Sequence, residues 1–270
     1  VPREYLKDSP NLRWIQLNNA GTEGFCDPGV LPEGTLLTNA SGAYGMAISE
    51  HLIAMLFMIQ KHLGVYRDQQ KEHLWIKQEP MLVTEGSTVL VLGLGDIGST
   101  FARKMKAMGS YVIGVRRTLR EKPDYVDELY TMDALSRLLP RADVVALSLP
   151  GYAATRGVIG KEELDRMKPG AVLLNVGRGT AVDTNALSDA LYAGKLAGAG
   201  LDVTDPEPLP ADHPIWDAPG ALITPHVSGG YALKPTLEKI LALSARNLER
   251  YEKGETLENM VDLTTGYAKR

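Results

Sequence analysis

The chain has 270 residues, of which 44% are hydrophobic and 23% charged, and its formal net charge is -4. These values suit an ordinary soluble globular protein with room for one large domain or two smaller ones. The acidic balance argues against a nucleic-acid surface, and no apolar run is long enough to span a bilayer, so neither partner is expected. The single cysteine, Cys26, excludes an internal disulfide framework and suits a reducing cytoplasm. It precedes Asp27-Pro28 in turn-like sequence and reads as an incidental thiol. No secretory signal pattern opens the chain, and a cytoplasmic location is expected.

Residues 11–17 (NLRWIQL) alternate apolar and polar side chains and predict a strand, and Leu36-Leu37-Thr38 predicts a second. One long helix is predicted over 41–64, with Ile48, Leu52, Ile53, Leu56 and Ile59 at helical spacing. From Gly86 strands and helices alternate. Strands are predicted at 89–92, 111–115, 129–130, 143–149, 171–176, 198–203 and 222–224. Helices fall between them, through Phe101, Met105 and Met108, at 132–139, at 162–167 and at 184–193. Such alternation implies a parallel sheet with helices on both faces and a ligand at the carboxyl ends of the strands. A last helix over 233–251 carries Leu237, Ile240, Leu241 and Leu248 on its apolar side. It does not continue the alternation and is assigned back to the first segment. The predicted fold is therefore α/β: a Rossmann-type doubly wound domain over 46–234, and a smaller domain built from 1–45 and 235–270.

The stretch Val89 to Gly98 reads VLVLGLGDIG. A short apolar strand, a glycine turn and a helix start in that order make a dinucleotide site. Gly93 allows the sharp turn, Gly95 lets the backbone approach a pyrophosphate, and Gly98 lets helix and strand pack tightly. The helix-start N–H groups around Asp96 and Ile97 face the phosphate charge.

Three further strings lie just past predicted strand ends. In Asn175-Val176-Gly177-Arg178-Gly179, an arginine between two glycines is placed to grip a carboxylate through two parallel hydrogen bonds. In Asp202-Val203-Thr204-Asp205-Pro206-Glu207-Pro208, two prolines stiffen the loop around Glu207. In Thr224-Pro225-His226-Val227-Ser228-Gly229-Gly230, a histidine follows a strand end, and histidine exchanges protons near neutral pH. His51 and His62 read as packing or solvent-facing residues of the long helix, His73 lies in a polar stretch and His213 in a loop. No pair of histidines has metal-ligand spacing, and no metal is expected.

Taken in this order, the glycine turn and the three strings resemble the D-2-hydroxyacid dehydrogenase family over nearly the whole chain. The resemblance implies hydride transfer between a nicotinamide cofactor and a small 2-oxo or D-2-hydroxy acid. It implies that Arg178 binds the substrate carboxylate and carbonyl, that His226 gives or takes the proton, and that Glu207 holds His226 in its acid form for reduction. Asp202 matches the position that holds the nicotinamide carboxamide, and Asn19-Ala20-Gly21 matches a backbone clamp on the substrate carboxylate. Leu149, Pro150 and Thr155 match a cofactor-lining segment, joined in the cofactor set by Val176, Gly177, Ser228 and Gly229. The resemblance further implies a flavodoxin-like small domain and dimers paired through the dinucleotide lobe. The apolar circumference of the long helix points the same way, to a homodimer.

Two departures stand out. The acid common about 20 residues past the glycines, for the ribose hydroxyls, is replaced by Arg116-Arg117-Thr118. A guanidinium holds a 2′-phosphate that a carboxylate would repel, so NADP is expected, with NAD as the alternative. The front is also short. Only two strand candidates precede the long helix and a βαβ unit takes roughly 30 residues, so the small domain is expected to be incomplete at its N-terminus. Phosphite and formate dehydrogenases use similar folds, but the Arg178, Glu207 and His226 set favours the hydroxyacid class. Dinucleotide-sensing corepressors share fold and trio and form the alternative from another class. Substrate choice is expected to rest on loop residues such as Tyr44, Trp216 and Tyr231.

Overall fold

The structure, a computed structural model, describes residues 3–22, 24–230, 233–264 and 266. In chain order it begins with β1 (Trp14–Gln16), β2 (Leu36–Thr38), α1 (Gly45–Gln60) and α2 (Leu63–Lys71). There follow β3 (Thr88–Leu92), α3 (Asp96–Ala107), β4 (Tyr111–Val115), β5 (Glu128–Tyr130), α4 (Leu135–Leu138) and β6 (Val144–Leu147). The chain closes with α5 (Lys161–Arg166), β7 (Ala171–Asn175), α6 (Thr184–Tyr192), β8 (Leu196–Leu201), β9 (Ala221–Ile223) and α7 (Lys234–Glu252). Two compact units form, residues 1–46 with 229–270 and residues 47–228. Their second boundary lies directly after the His226 loop, ahead of the 234/235 division set from the sequence.

The larger unit is built on a seven-stranded parallel sheet in the order β5-β4-β3-β6-β7-β8-β9. Its central strands are apolar on both faces because helices cover both. All four residues of β6 and all five of β7 are buried. Such runs mark the inside of a parallel sheet. From β3 the chain winds outward to β5, then returns to the other side of β3 through β6. The β3/β6 junction is thus the topological switch point, where a crevice opens at the carboxyl ends. The edge strand β5 is tied down by charge. Arg141 and the Tyr130 and Tyr111 hydroxyls hydrogen-bond Glu128 and hold its carboxyl down to about 2.

The predicted single helix over 41–64 is broken. α1 stops at Gln60 and α2 starts at Leu63, because His62 adopts left-handed backbone with φ 52°. The break is held by the returning segment: His62 Nε2 donates to the Pro80 carbonyl at 2.9 Å and Lys61 Nζ to the Leu82 carbonyl at 2.6 Å. The apolar residues of α1 are largely covered, with Leu52, Met55 and Leu56 each at most 2% exposed. No helix among the described residues is long and apolar enough to cross a membrane.

The smaller unit pairs β1 and β2 in parallel and adds α7. Asn247 of α7 is fully buried and donates to Gln16 Oε1 at 2.9 Å and to the Glu258 carbonyl at 3.0 Å. Trp14 stacks on Tyr251 with ring centroids 5.4 Å apart. The buried face of α7 runs through Thr236, Ile240, Leu243 and Asn247, whereas Leu237, Leu241 and Leu248 are exposed. Of the apolar side read from the sequence, only Ile240 lies on this face. The tail stays with the front of the chain because Val261 N donates to the Leu37 carbonyl at 2.7 Å.

Candidate active site

The glycine turn sits at the switch point. Gly93 N donates to the Val115 carbonyl at 2.9 Å, and Ser148 Oγ donates to the Gly93 carbonyl at 2.8 Å. Gly93 has φ 97°, backbone that L side chains rarely adopt. A Cβ at Gly98 would lie 1.8 Å from the Gly93 carbonyl oxygen, so α3 packs on the turn at a distance only glycine permits. At Gly95 the situation is reversed: a Cβ would meet no heavy atom within 4 Å. The first backbone bond of α3 runs from Ser99 N to the Gly95 carbonyl at 3.0 Å. The N–H groups of Asp96, Ile97 and Gly98 therefore precede the helical ladder, at the positive end of its dipole. Open space beside Gly95 and N–H groups ahead of it fit a dinucleotide pyrophosphate.

Arg116 follows β4 directly, and its N–H donates to the Tyr130 carbonyl at 3.0 Å. Leu92 pairs with Val115, so Gly93 and Arg116 leave the sheet side by side. Arg116 is half-buried, while Arg117 and Thr118 are exposed. Past β6, Leu149 is buried and Pro150 begins a tight turn closed by Thr155, whose hydroxyl donates to the Pro150 carbonyl at 2.6 Å.

Arg178 emerges from β7 on a loop held by the side chain of Asn175, itself fully buried. Asn175 Nδ2 donates to the Arg178 carbonyl and its Oδ1 accepts from Gly177 N, both at 3.0 Å. Next to buried Val176, a Cβ at Gly177 would lie 2.4 Å from the Leu149 carbonyl oxygen, and one at Gly179 would lie 1.8 Å from that of Thr204. Neither neighbour of Arg178 can carry a side chain, so the guanidinium projects from a backbone wedged between two loops. Arg178 Nη1 donates to the Gly177 carbonyl at 2.8 Å.

The ends of β8 and β9 bring Glu207 and His226 together. His226 Nδ1 donates to Glu207 Oε1 at 2.5 Å, with both side chains roughly half exposed. The bond fixes the proton on Nδ1 and leaves Nε2 as the ring nitrogen for proton exchange. His226 has φ 52°, and its N–H donates to the carbonyls of Asp202 at 2.9 Å and Thr224 at 3.0 Å. Asp202 is 1% exposed. Its Oδ1 accepts from Thr224 Oγ1 at 2.6 Å and Val227 N at 2.9 Å, and its Oδ2 accepts from Ser228 N at 3.1 Å and Ser228 Oγ. A carboxylate offers about four acceptor positions, so the chain's own donors fill Asp202, and a carboxamide there would have to share them. Sequence reasoning read His51 as a packing or solvent-facing residue of the long helix. It lies beside this carboxylate, with Nε2 2.9 Å from Thr224 Oγ1 and 3.8 Å from Asp202 Oδ1.

The loop Asn19-Ala20-Gly21 belongs to the smaller unit, as does Gly229. The loop hangs from its carbonyls: Ala40 N donates to Asn19 O at 2.9 Å and Asn39 Nδ2 to Ala20 O at 2.8 Å. Tyr44 is buried with its hydroxyl on the Asn18 carbonyl. Trp216 is partly exposed, with Nε1 on the Pro210 carbonyl at 2.8 Å. Tyr231 lies outside the described residues.

A model of the D-isomer specific 2-hydroxyacid dehydrogenase NAD-binding domain matches residues 53–228, nearly all of the larger unit. The chain belongs to this family. A family structure from Aeromonas salmonicida is 36% identical and superposes with a TM-score of 0.87, over 97% of this chain and 82% of the other. A glyoxylate reductase of Thermococcus litoralis is 31% identical over 97% of this chain and 80% of its own length. The NADPH-dependent glyoxylate/hydroxypyruvate reductase of Sinorhizobium meliloti, solved with NADP and sulfate, is 28% identical with a TM-score of 0.84, over 96% of this chain and 81% of the other. The larger unit thus carries, at the carboxyl ends of its strands, a helix start whose ladder begins at Ser99, an arginine on a wedged loop and an imidazole bonded to a carboxylate.

Proposed function

We propose that the protein reduces small 2-oxo acids to D-2-hydroxy acids of the glyoxylate and hydroxypyruvate class, with NADPH preferred over NADH. The observation that carries this reading is the His226–Glu207 pair at 2.5 Å, on the same sheet edge as Arg178 and the Gly93–Gly98 turn. A bound nicotinamide supplies the hydride. The chain supplies everything else. Arg178 grips the substrate carboxylate through its planar fork and brings positive charge to the carbonyl oxygen as negative charge develops there. His226 Nε2 delivers the proton that completes the hydroxyl, and Glu207 holds the ring in place through Nδ1. In the oxidative direction Nε2 takes that proton back.

Arg116 and Arg117 carry the cofactor preference. Charged hydrogen bonds to a ribose 2′-phosphate contribute roughly 1.5–3 kcal/mol, and about 1.4 kcal/mol is tenfold. The protein should therefore turn over glyoxylate or hydroxypyruvate with at least a roughly tenfold preference for NADPH, weakening as salt rises. Replacing both arginines with glutamine should erase the preference, chiefly through the Michaelis constant for NADPH. A preference that survives the double replacement would show these arginines to be surface charges. Cofactor binding without turnover would identify a dinucleotide sensor instead of a reductase.

The same unit supports a homodimer, on other grounds than the sequence suggested. α1 buries Ile48, Leu52, Met55, Leu56 and Ile59, and Ile53, Phe57 and Met58 stay partly exposed. A run of exposed apolar side chains follows in the chain, with Trp75 99%, Val83 65%, Ile76 54% and Met81 54% exposed. A groove of about 630 Å³ beside them is lined by Tyr66, Gln69, Leu74 and Trp75. Exposed apolar surface around such a groove fits a protein interface. Sedimentation at micromolar concentration should give a dimer, and Trp75→Glu should weaken it at least about tenfold, as expected for a central aromatic anchor. A monomeric wild-type protein, or a variant that pairs as tightly as wild type, would remove this interface.

A further inference from the structure

His51 sits on α1, far in sequence from every motif above, yet its ring reaches the scaffold of the His226 loop. The proton arrangement there is determined. The Thr224 hydroxyl has one proton, and Asp202 Oδ1 at 2.6 Å is an acceptor, so the hydroxyl donates to Asp202. Its lone pair must then accept from His51 Nε2 at 2.9 Å, which fixes the His51 tautomer with hydrogen on Nε2. Asp202 in turn bonds the N–H groups of Val227 and Ser228 through its side chain, and that of His226 through its carbonyl. A non-glycine residue in the left-handed region persists only where its surroundings over-determine it, and for His226 those surroundings are Asp202 and Thr224.

We propose that His51 is a positioning residue for the acid/base histidine. It donates to Thr224, which orients the Asp202 carboxylate, and that carboxylate sets the backbone on which the His226 ring is presented. The inference rests on the reductase reading for its kinetic consequence, but the loop geometry can be read without turnover.

Three variants test it. His51→Leu fills the space without a donor, His51→Gln restores an N–H at similar reach, and Thr224→Val removes the middle of the link. Hydrogen exchange of the backbone amides of residues 226–228, measured by mass spectrometry on the whole protein, is expected to quicken about tenfold in H51L and T224V and to stay near wild type in H51Q. Losing one such hydrogen bond is worth about a factor of ten. With glyoxylate and NADPH, kcat should fall about tenfold in H51L with the Michaelis constant for NADPH unchanged, and H51Q should recover it. The double variant H51L/T224V should be no worse than the poorer single one, because both cut the same link. Unchanged exchange and kcat in H51L, an H51Q as impaired as H51L, or additive losses in the double variant would each overturn the proposal. If H51L does not fold, the comparison of T224V with H51Q decides by the same criteria. A wild type without turnover would defeat the reductase reading and leave the exchange experiment to judge His51 alone.

Discussion

Replacing His226 with alanine is expected to lower kcat by roughly 10²–10⁴-fold, the usual contribution of a positioned general acid or base, while NADPH binding stays near wild type. The expectation follows from position. Nδ1 is committed to Glu207 at 2.5 Å, so proton exchange belongs to Nε2. The loop beneath the ring is carried by Asp202 and by the backbone bonds of residues 226–228, none of which needs the imidazole. Truncation should therefore remove the proton donor and leave the scaffold standing. His226→Gln makes the sharper control, because a glutamine amide can still bond Glu207 yet cannot carry a proton through the cycle. Turnover and NADPH titration on both variants check this. A His226 variant that keeps near-normal kcat would refute the assignment.

Arg178→Lys is expected to lower kcat/KM by about ten- to a hundredfold, the equivalent of about 1.5–3 kcal/mol for a charged bidentate contact. Lysine keeps the charge but offers a point donor on a flexible stem rather than a planar fork. Elsewhere a backbone shift could compensate. Here it cannot, since the flanking glycines already touch the carbonyls of Leu149 and Thr204 and Asn175 clamps the loop from below. Steady-state kinetics over a range of 2-oxo acid concentrations measure the loss. A lysine variant with wild-type kcat/KM would show that charge alone is used and that the fork is not.

Most of the sheet was legible because buried parallel strands leave short apolar runs bounded by glycine, proline or asparagine. β2 and β4 occupy the very residues read from the sequence, and the chemistry-bearing strings lie where those runs stop. What escaped was set by contacts remote in sequence. The split between α1 and α2 falls at His62, which carries none of the glycine or proline signals of a helix break and is held open by Pro80 and Leu82. The buried stripe of α7 includes Asn247, a polar residue that hydropathy places outside and that hydrogen bonds to Gln16 and Glu258 bring in. His51 looked like one more residue on a helix, because its partner Thr224 lies 173 positions away.

The strand order has a consequence for how this molecule can diversify. Arg116 leaves β4 and His226 leaves β9, with β3, β6, β7 and β8 between them. At roughly 4.8 Å per strand that is about 24 Å along the sheet, well past the range at which substitutions interfere energetically. On the proposed assignment, coenzyme choice and proton chemistry are separate inheritances on one scaffold. Exchanging NADPH for NADH at the Arg116 end of the sheet edge should then leave the proposed acid and base at the other end untouched.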